Sequence, residues 1–462
     1  MPLFPEKVIY GVLALSAALF AVSFGLIIYA VGRRVRHEQD FQLLDEFRQR
    51  LLALFAALRD GTLTYDETRA QVGVLLRPRF QLRMEQILLE HLSAPADAPA
   101  IKRMVEDLGF VDRWRQGLQA PHGAGGHGVR RWLHDTQFST RALNAENLGL
   151  IGHQASWKLL CQCLCDPNLD VQRVALRSLA AIGEPGSFPV LVEHLQKTVA
   201  QPRAKLSERD LLAALACFPL GLCGHLLPLL RHSNPTFRRL ALQILIEMTV
   251  AQEAETKSVC LEDVERGDEI AGLILSPLAD DPDAEIRARA AHVLAYVRNE
   301  RAAEKLRRLL KDEAWFVRLH TIRSLARRRD AGATALLAAS LTEAHWRVRE
   351  AAARALSQWG APGVYQLVRT FQSTRDVYAR EQIAEELETS GEFARMLARC
   401  AESGAGPEFE VLKEIVRMRK LGYFQADVKA QGQASERAAV LATLSASSHS
   451  EVKEWANQMQ AQ

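Results

Sequence analysis

DPDAEIRARAAHVL (281–294), DEAWFVRLHTIRSL (312–325), EAHWRVREAAARAL (343–356) and TRDVYAREQIAEEL (374–387) are four versions of one phrase. Each closes on a leucine, and Leu294, Leu325, Leu356 and Leu387 stand 31 residues apart. Inside the phrases the apolar residues follow a helical period. Ile286, Ala290, Ala291 and Leu294 fall at i, i+4, i+5 and i+8, one stripe of an α-helix. Val317, Thr321, Ile322 and Leu325, then Val348, Ala352, Ala353 and Leu356, repeat that stripe. A fixed period in the thirties with helices inside it predicts stacked helical repeats.

Each phrase opens on Asp281, Asp312, Glu343 or Thr374, residues suited to a helix start, where backbone N–H groups lack partners. A second apolar pair follows each landmark leucine: Leu306 with Leu310, and Leu337 with Leu341. These predict a second, antiparallel helix per unit. Neither helix can bury its stripe alone, so the units must stack.

The register extends towards the N-terminus. Leu148 and Leu179 are again 31 apart, and Leu215 and Leu245 mark two less regular units. From Leu245 to Leu294 the gap is 49, which is 18 more than one period. That excess predicts an acidic insertion over 252–269, read as a loop. Eight units over 131–404 result.

The phrases resemble HEAT-like repeats, in the short form also found in phycobilin lyases. Asp281-Pro282, Ile286-Arg287 and Ala290-Ala291 carry the resemblance best, and Val348-Arg349 with Ala352-Ala353 repeat it. It implies an all-α chain built as an α-α superhelix. It implies little about activity, because such folds host many tasks.

Val8 to Val31 carries no charged residue over 24 positions. At 1.5 Å per residue this makes about 36 Å of helix, enough to cross a hydrocarbon core of about 30 Å. Arg33, Arg34 and Arg36 follow it directly, which argues against a cleaved signal peptide. The expectation is one N-terminal transmembrane helix at 8–31. The positive-inside bias then puts the N-terminus outside and the repeats in the cytoplasm, at the inner membrane. Seven cysteines, an odd number in helical contexts, suit a reducing compartment.

Residues 37–119 read as a helical cap before the repeats. Helices are expected over Phe41–Leu58, Tyr65–Leu76, Phe80–Leu92 and Ala100–Leu118, with a break at Asp60-Gly61. APHGAGGHG (120–128) opens a flexible linker over 120–130. Helical spacing returns over 405–462, as a C-terminal cap.

Chemistry is scarce. Cys161, Cys163 and Cys165 flank Leu160 and Leu164 of a repeat helix, so packing is preferred to a metal site. His122 and His127 have no phosphate-loop lysine after them, and no hydrolase, zincin or kinase signature is present. The expectation is no catalytic residue, no cofactor and no metal. Arg287, Arg318, Arg349 and Arg380 recur at the period. They read as structural partners of the helix-start acids in preference to an anion-binding stripe. A basic cluster, Arg298 to Arg329, could line a concave face of second helices. The net charge of +3 is nevertheless too small for a dedicated nucleic-acid binder.

The resulting expectation is a non-enzymatic scaffold for protein partners at the membrane. Arg307, Arg308, Lys311, Trp315 and Trp346 are its candidate contact residues, and residues 8–31 its contact with the bilayer. The chain also resembles bacterial membrane-anchored HEAT-repeat proteins, with Leu108-Gly109-Phe110-Val111-Asp112-Arg113 adding to the likeness. That resemblance implies service to an envelope or polysaccharide-synthesis complex. The rival readings are a HEAT-like enzyme of lyase or DNA glycosylase type, and a nucleic-acid module using the basic cluster.

Overall fold

The computed structural model describes residues 6–119, 137–200, 206–404, 406–418, 440–447 and 449–460. Among them are α-helices, short 3-10 turns and no strand. They fall into two compact units, Met1–Ser187 and Phe188–Gln462. The expected linker over 120–130 lies outside the described residues.

The first unit opens with α1 (Glu6–Arg59), a single helix of 54 residues. Phe47, Leu51 and Phe55 of its second half are buried against α2 (Tyr65–Leu75) and α3 (Gln81–Glu90). Phe41 and Leu52 are exposed. Among the described residues no helix is long and apolar enough to cross a membrane. The expected anchor at 8–31, its contact with the bilayer, and the inner-membrane placement with cytoplasmic repeats are thereby overturned. The apolar run is not a separate element. It is the start of α1, and most of its side chains lie outside the described residues.

The expected helix over 100–118 is two helices, α4 (Ala98–Asp107) and α5 (Phe110–Gln119). Gly109 separates them at φ +73°, a left-handed conformation that glycine adopts without strain. Next come α6 (Gln137–Ile151), α7 (Trp157–Cys163) and α8 (Leu169–Ile182). A β-carbon at Gly149 would meet the Ser178 hydroxyl at 2.5 Å, so this glycine lets α6 and α8 approach closely. The Ser178 hydroxyl donates to the Ala145 carbonyl at 2.8 Å.

The second unit continues with α9 (Phe188–Ala200), α10 (Glu208–Ala216), α11 (Leu227–Leu230), α12 (Pro235–Thr256) and α13 (Gly267–Leu275). It goes on through α14 (Ala284–Val293), α15 (Glu300–Leu309), α16 (Trp315–Arg328) and α17 (Thr334–Ala339). The last pairs are α18 (Trp346–Gln358) with α19 (Ala361–Ser373) and α20 (Val377–Thr389) with α21 (Glu392–Ser403).

From α6 to α21 the even-numbered helices are the first helices of the repeats and the odd-numbered ones the second. Within the second unit each first helix packs on the next, α10 on α12 and so on to α20. The eight landmark leucines, from Leu148 to Leu387, are all fully buried. So are the second-helix leucines Leu306 and Leu337.

After the repeats, α22 (Pro407–Met418) packs on α19 and α21. Phe409 meets Trp455 of α23 (Ser450–Gln460) edge-on at 5.7 Å. These helices cover the end of the stack, as a terminal repeat requires.

The 18-residue excess is a loop only in part. It lengthens α12 to Thr256 and then forms a turn before α13. Three of its acids bind forward. Glu253 pairs with Arg327, Asp263 takes Arg298 through two contacts of 2.8 and 2.9 Å, and Glu262 accepts from the Arg298 backbone at 3.0 Å.

Candidate functional site

The periodic arginines serve the stack. Arg287 donates through Nε and Nη2 to Asp312, 25 residues on, at 2.8 and 2.9 Å. Its Nη1 caps the carbonyls of Asp281 and Pro282 in its own turn. Arg141 binds Asp166 in the same two-pronged way, and Arg318 reaches Glu343 through Nη2. Arg238 binds Asp281 across a separation of 43, which is 25 plus the 18-residue insertion. Each of these four arginines therefore ties one repeat to the acid of the next, whereas Arg349 meets no acid among the described residues and Arg380 reaches Glu414 at 3.5 Å. Arg287 and Asp312 are both about nine-tenths buried, so the pair is deeply desolvated. Burial pushes the Asp312 carboxyl up, but hydrogen bonds from Arg287 and the Ala314 backbone outweigh it and hold the group below its ordinary range.

The helix-start acids sit two residues before the true N-caps. Asp281 Oδ1 accepts from Asp283 N, Asp312 Oδ1 from Ala314 N, and Thr374 Oγ1 from Asp376 N. The caps are Asp283 and Asp376, whose side chains accept from the following helical N–H groups. Ala314 and His345 hold the equivalent places without a side-chain cap.

Much of the basic cluster is neutralised internally. Arg298 holds Asp263, Lys305 holds Asp280, Arg327 holds Glu253, and Arg328 caps the Val297 carbonyl. Arg307 is engaged as well. It donates to Asp330 at 2.7 and 2.8 Å and to Glu300 at 3.0 Å. The Arg307 hydrogen bond is the chief reason the Asp330 carboxyl is held low. Arg308 and Lys311 are exposed. These three residues lie on α15 and the turn after it.

Trp315 and Trp346 lie elsewhere, at the first positions of α16 and α18. The structure joins them through a residue that the sequence pattern did not single out. The His345 ring stacks on Trp315 at 3.8 Å with 5° between planes. Trp346 continues the stack at 6.5 Å and 12°. The Arg347 guanidinium lies 5.9 Å from the Trp315 ring and 5.3 Å from Trp346. Such cation–aromatic contacts stabilise an exposed surface by about 0.5–1 kcal/mol each. Trp346 remains 54% exposed. In the next repeat Val377 and Tyr378 are 57% and 69% exposed, and Arg349 lies 5.8 Å from the Tyr378 ring. The edge is thus planar, apolar and cationic.

Cys161 and Cys163 face packing. Burial pushes their thiols up to about 11 and about 12, away from the reactive thiolate. Among the described residues no group of three or more His, Cys, Asp or Glu could hold a metal ion. Buried Glu386 accepts from the Ser357 hydroxyl at 2.6 Å and joins α20 to α18. Burial is the main cause of its raised pKa, opposed by that hydrogen bond.

The family model for HEAT repeats matches residues 129–211, 273–357 and 317–388. The chain therefore carries HEAT repeats. No curated protein matches it significantly. Among solved structures, an engineered protein is 19% identical with a TM-score of 0.34, over 76% of this chain and 98% of that one. Human deoxyhypusine hydroxylase is 18% identical with a TM-score of 0.24, over 61% and 96%. Importin beta is 14% identical with a TM-score of 0.38, over 89% and 65%. Scores this low say nothing of what this chain binds.

Proposed function

We propose that this chain is a non-enzymatic repeat scaffold whose task is to hold another protein. The observation that supports the reading is the Trp315–His345–Trp346 stack, half open to solvent on a rigid edge of repeats. Large planar side chains lose little conformational entropy on binding and dominate protein interfaces. HEAT repeats support it further, since stacked repeats offer extended binding surfaces. Of the five sequence candidates, Trp315 and Trp346 belong to this edge, and Arg307 is committed to Asp330. Service to an envelope or polysaccharide-synthesis complex rests on resemblance alone.

A photo-cross-linking residue at position 346 of the full chain tests the proposal. A defined protein should be captured from there and not from position 301, an exposed site on α15. Turnover of a bilin or an alkylated base by the purified chain would sink it in favour of an enzyme. Salt-sensitive nucleic-acid binding that is lost when Arg308 and Lys311 are neutralised would favour the nucleic-acid reading.

A further inference from the structure

The arginine ladder has one rung without its carboxylate. Arg349 adopts the ladder posture, with Nη1 donating to the carbonyls of Glu343 and Ala344 at 2.7 and 3.0 Å. At Arg287 the other edge of the guanidinium meets Asp312, 25 residues on. At Arg349 the residue 25 on is Thr374. Thr374 performs the turn's backbone task, accepting from Asp376 N at 3.1 Å, but brings no charge. The Arg349 Nε is buried without a hydrogen-bond partner, as is that of Arg318, but Arg318 has Glu343 at its Nη2 and Arg349 has no carboxylate among the described residues.

Nearby acids are already engaged. Glu343 holds Arg318, and Asp376 caps α20. Arg347 and Arg375 are exposed and, among the described residues, form no ion pair. The Arg347 guanidinium thus borders the Trp346 ring and that of Arg349 the Tyr378 ring, and neither has an ion-pair partner among the described residues.

We propose that this edge takes an acidic segment of a partner protein. One carboxylate of that segment meets Arg349 at Nη2, as Glu343 meets Arg318. Its neighbours lie along Trp346 and Tyr378, and Arg347 and Arg375 supply the surrounding positive field. The proposal rests on the scaffold reading and names the chemistry of its partner.

The test uses the full chain and a labelled poly-glutamate peptide, with poly-serine of equal length as the reference. Fluorescence anisotropy should show poly-glutamate binding and poly-serine not. Thr374→Asp supplies the missing carboxylate from within. It should raise the melting temperature and weaken poly-glutamate binding by about ten-fold or more, the effect of losing one charged hydrogen-bonded contact. Thr374→Asn keeps the turn acceptor without the charge and should leave binding unchanged. Arg347→Gln, on an exposed side chain, should weaken binding without moving the melt.

Equal binding of poly-glutamate and poly-serine would overturn the proposal. So would equal poly-glutamate affinity in the Asp and Asn variants, or an oligonucleotide that binds in preference to the peptide and is lost in the Asp variant. The cross-link from position 346 separates the two readings. A protein captured equally by the wild type and Thr374→Asp removes the carboxylate placement and leaves the scaffold. Capture of no protein removes the scaffold, and the partner with it.

Discussion

Asp312 shows how much one side chain carries here. It accepts two hydrogen bonds from Arg287 of the previous repeat and one from the Ala314 backbone. Removing one partner of a buried ion pair strands the other and costs about 3–5 kcal/mol. Asp312→Ala should therefore lower the unfolding free energy by about 3 kcal/mol in denaturant melts. Glu313→Ala, whose side chain is 89% exposed, should change it by about 0.5 kcal/mol or less. A second residue-scale effect is acid sensitivity. Burial, with help from His292, Arg323 and Arg289, pushes His320 down to about 4 from an ordinary 6.5. The unfolded chain takes up this proton first. Stability is then full above pH 6.5, falls as the pH drops towards 4, and levels off below that. The loss is at most on the order of 3 kcal/mol. Chemical denaturation across that window should show His320→Gln flattening the fall, with further contributions from His292, His153 and His194, also held low by burial.

At the scale of the element, the turns between repeats decide how each first helix begins. Asp283 caps α14 by accepting from Glu285 N at 2.8 Å, while Ala314 leaves α16 uncapped by any side chain. An N-cap side chain is worth about 1 kcal/mol. Asp283→Ala should cost about that much and Ala314→Asn should gain it, read as opposite shifts of the same unfolding midpoint. The cap positions were not legible as such. The acids at 281 and 312 look like caps because they precede a helix, but the helix begins two residues later than the periodic pattern suggests. Gly109 shows the same limit. Apolar spacing runs straight through it, and only its positive φ ends one helix and frees the next to turn.

At the scale of the molecule, stability in a repeat array passes between neighbours. Leu325 is fully buried in α16, which packs on α14 and α18. Leu325→Ala should cost about 3 kcal/mol through the lost burial and the cavity left behind. Hydrogen exchange should speed up first in α14, α16 and α18, and leave α3 and α5 of the first unit unchanged. A uniform loss of protection in both units would contradict nearest-neighbour coupling.

Sequence alone determined the repeat: its period, its helices and its eight buried leucines. That information is local, because a helix shows its buried stripe within ten or so residues of itself. Trp315 and Trp346 were named as contact candidates too. Only the tertiary structure decided what touches what. It carried Arg287 to an acid 25 residues on and Arg238 to one 43 residues on, which depends on how repeats stack. It committed Arg307 to Asp330. It set His345 between two tryptophans and left Arg349 beside a threonine where its counterparts meet acids. Periodicity records which side of a helix is buried. Ion pairs and ring stacks depend on distances between helices, and those exist only once the helices are packed.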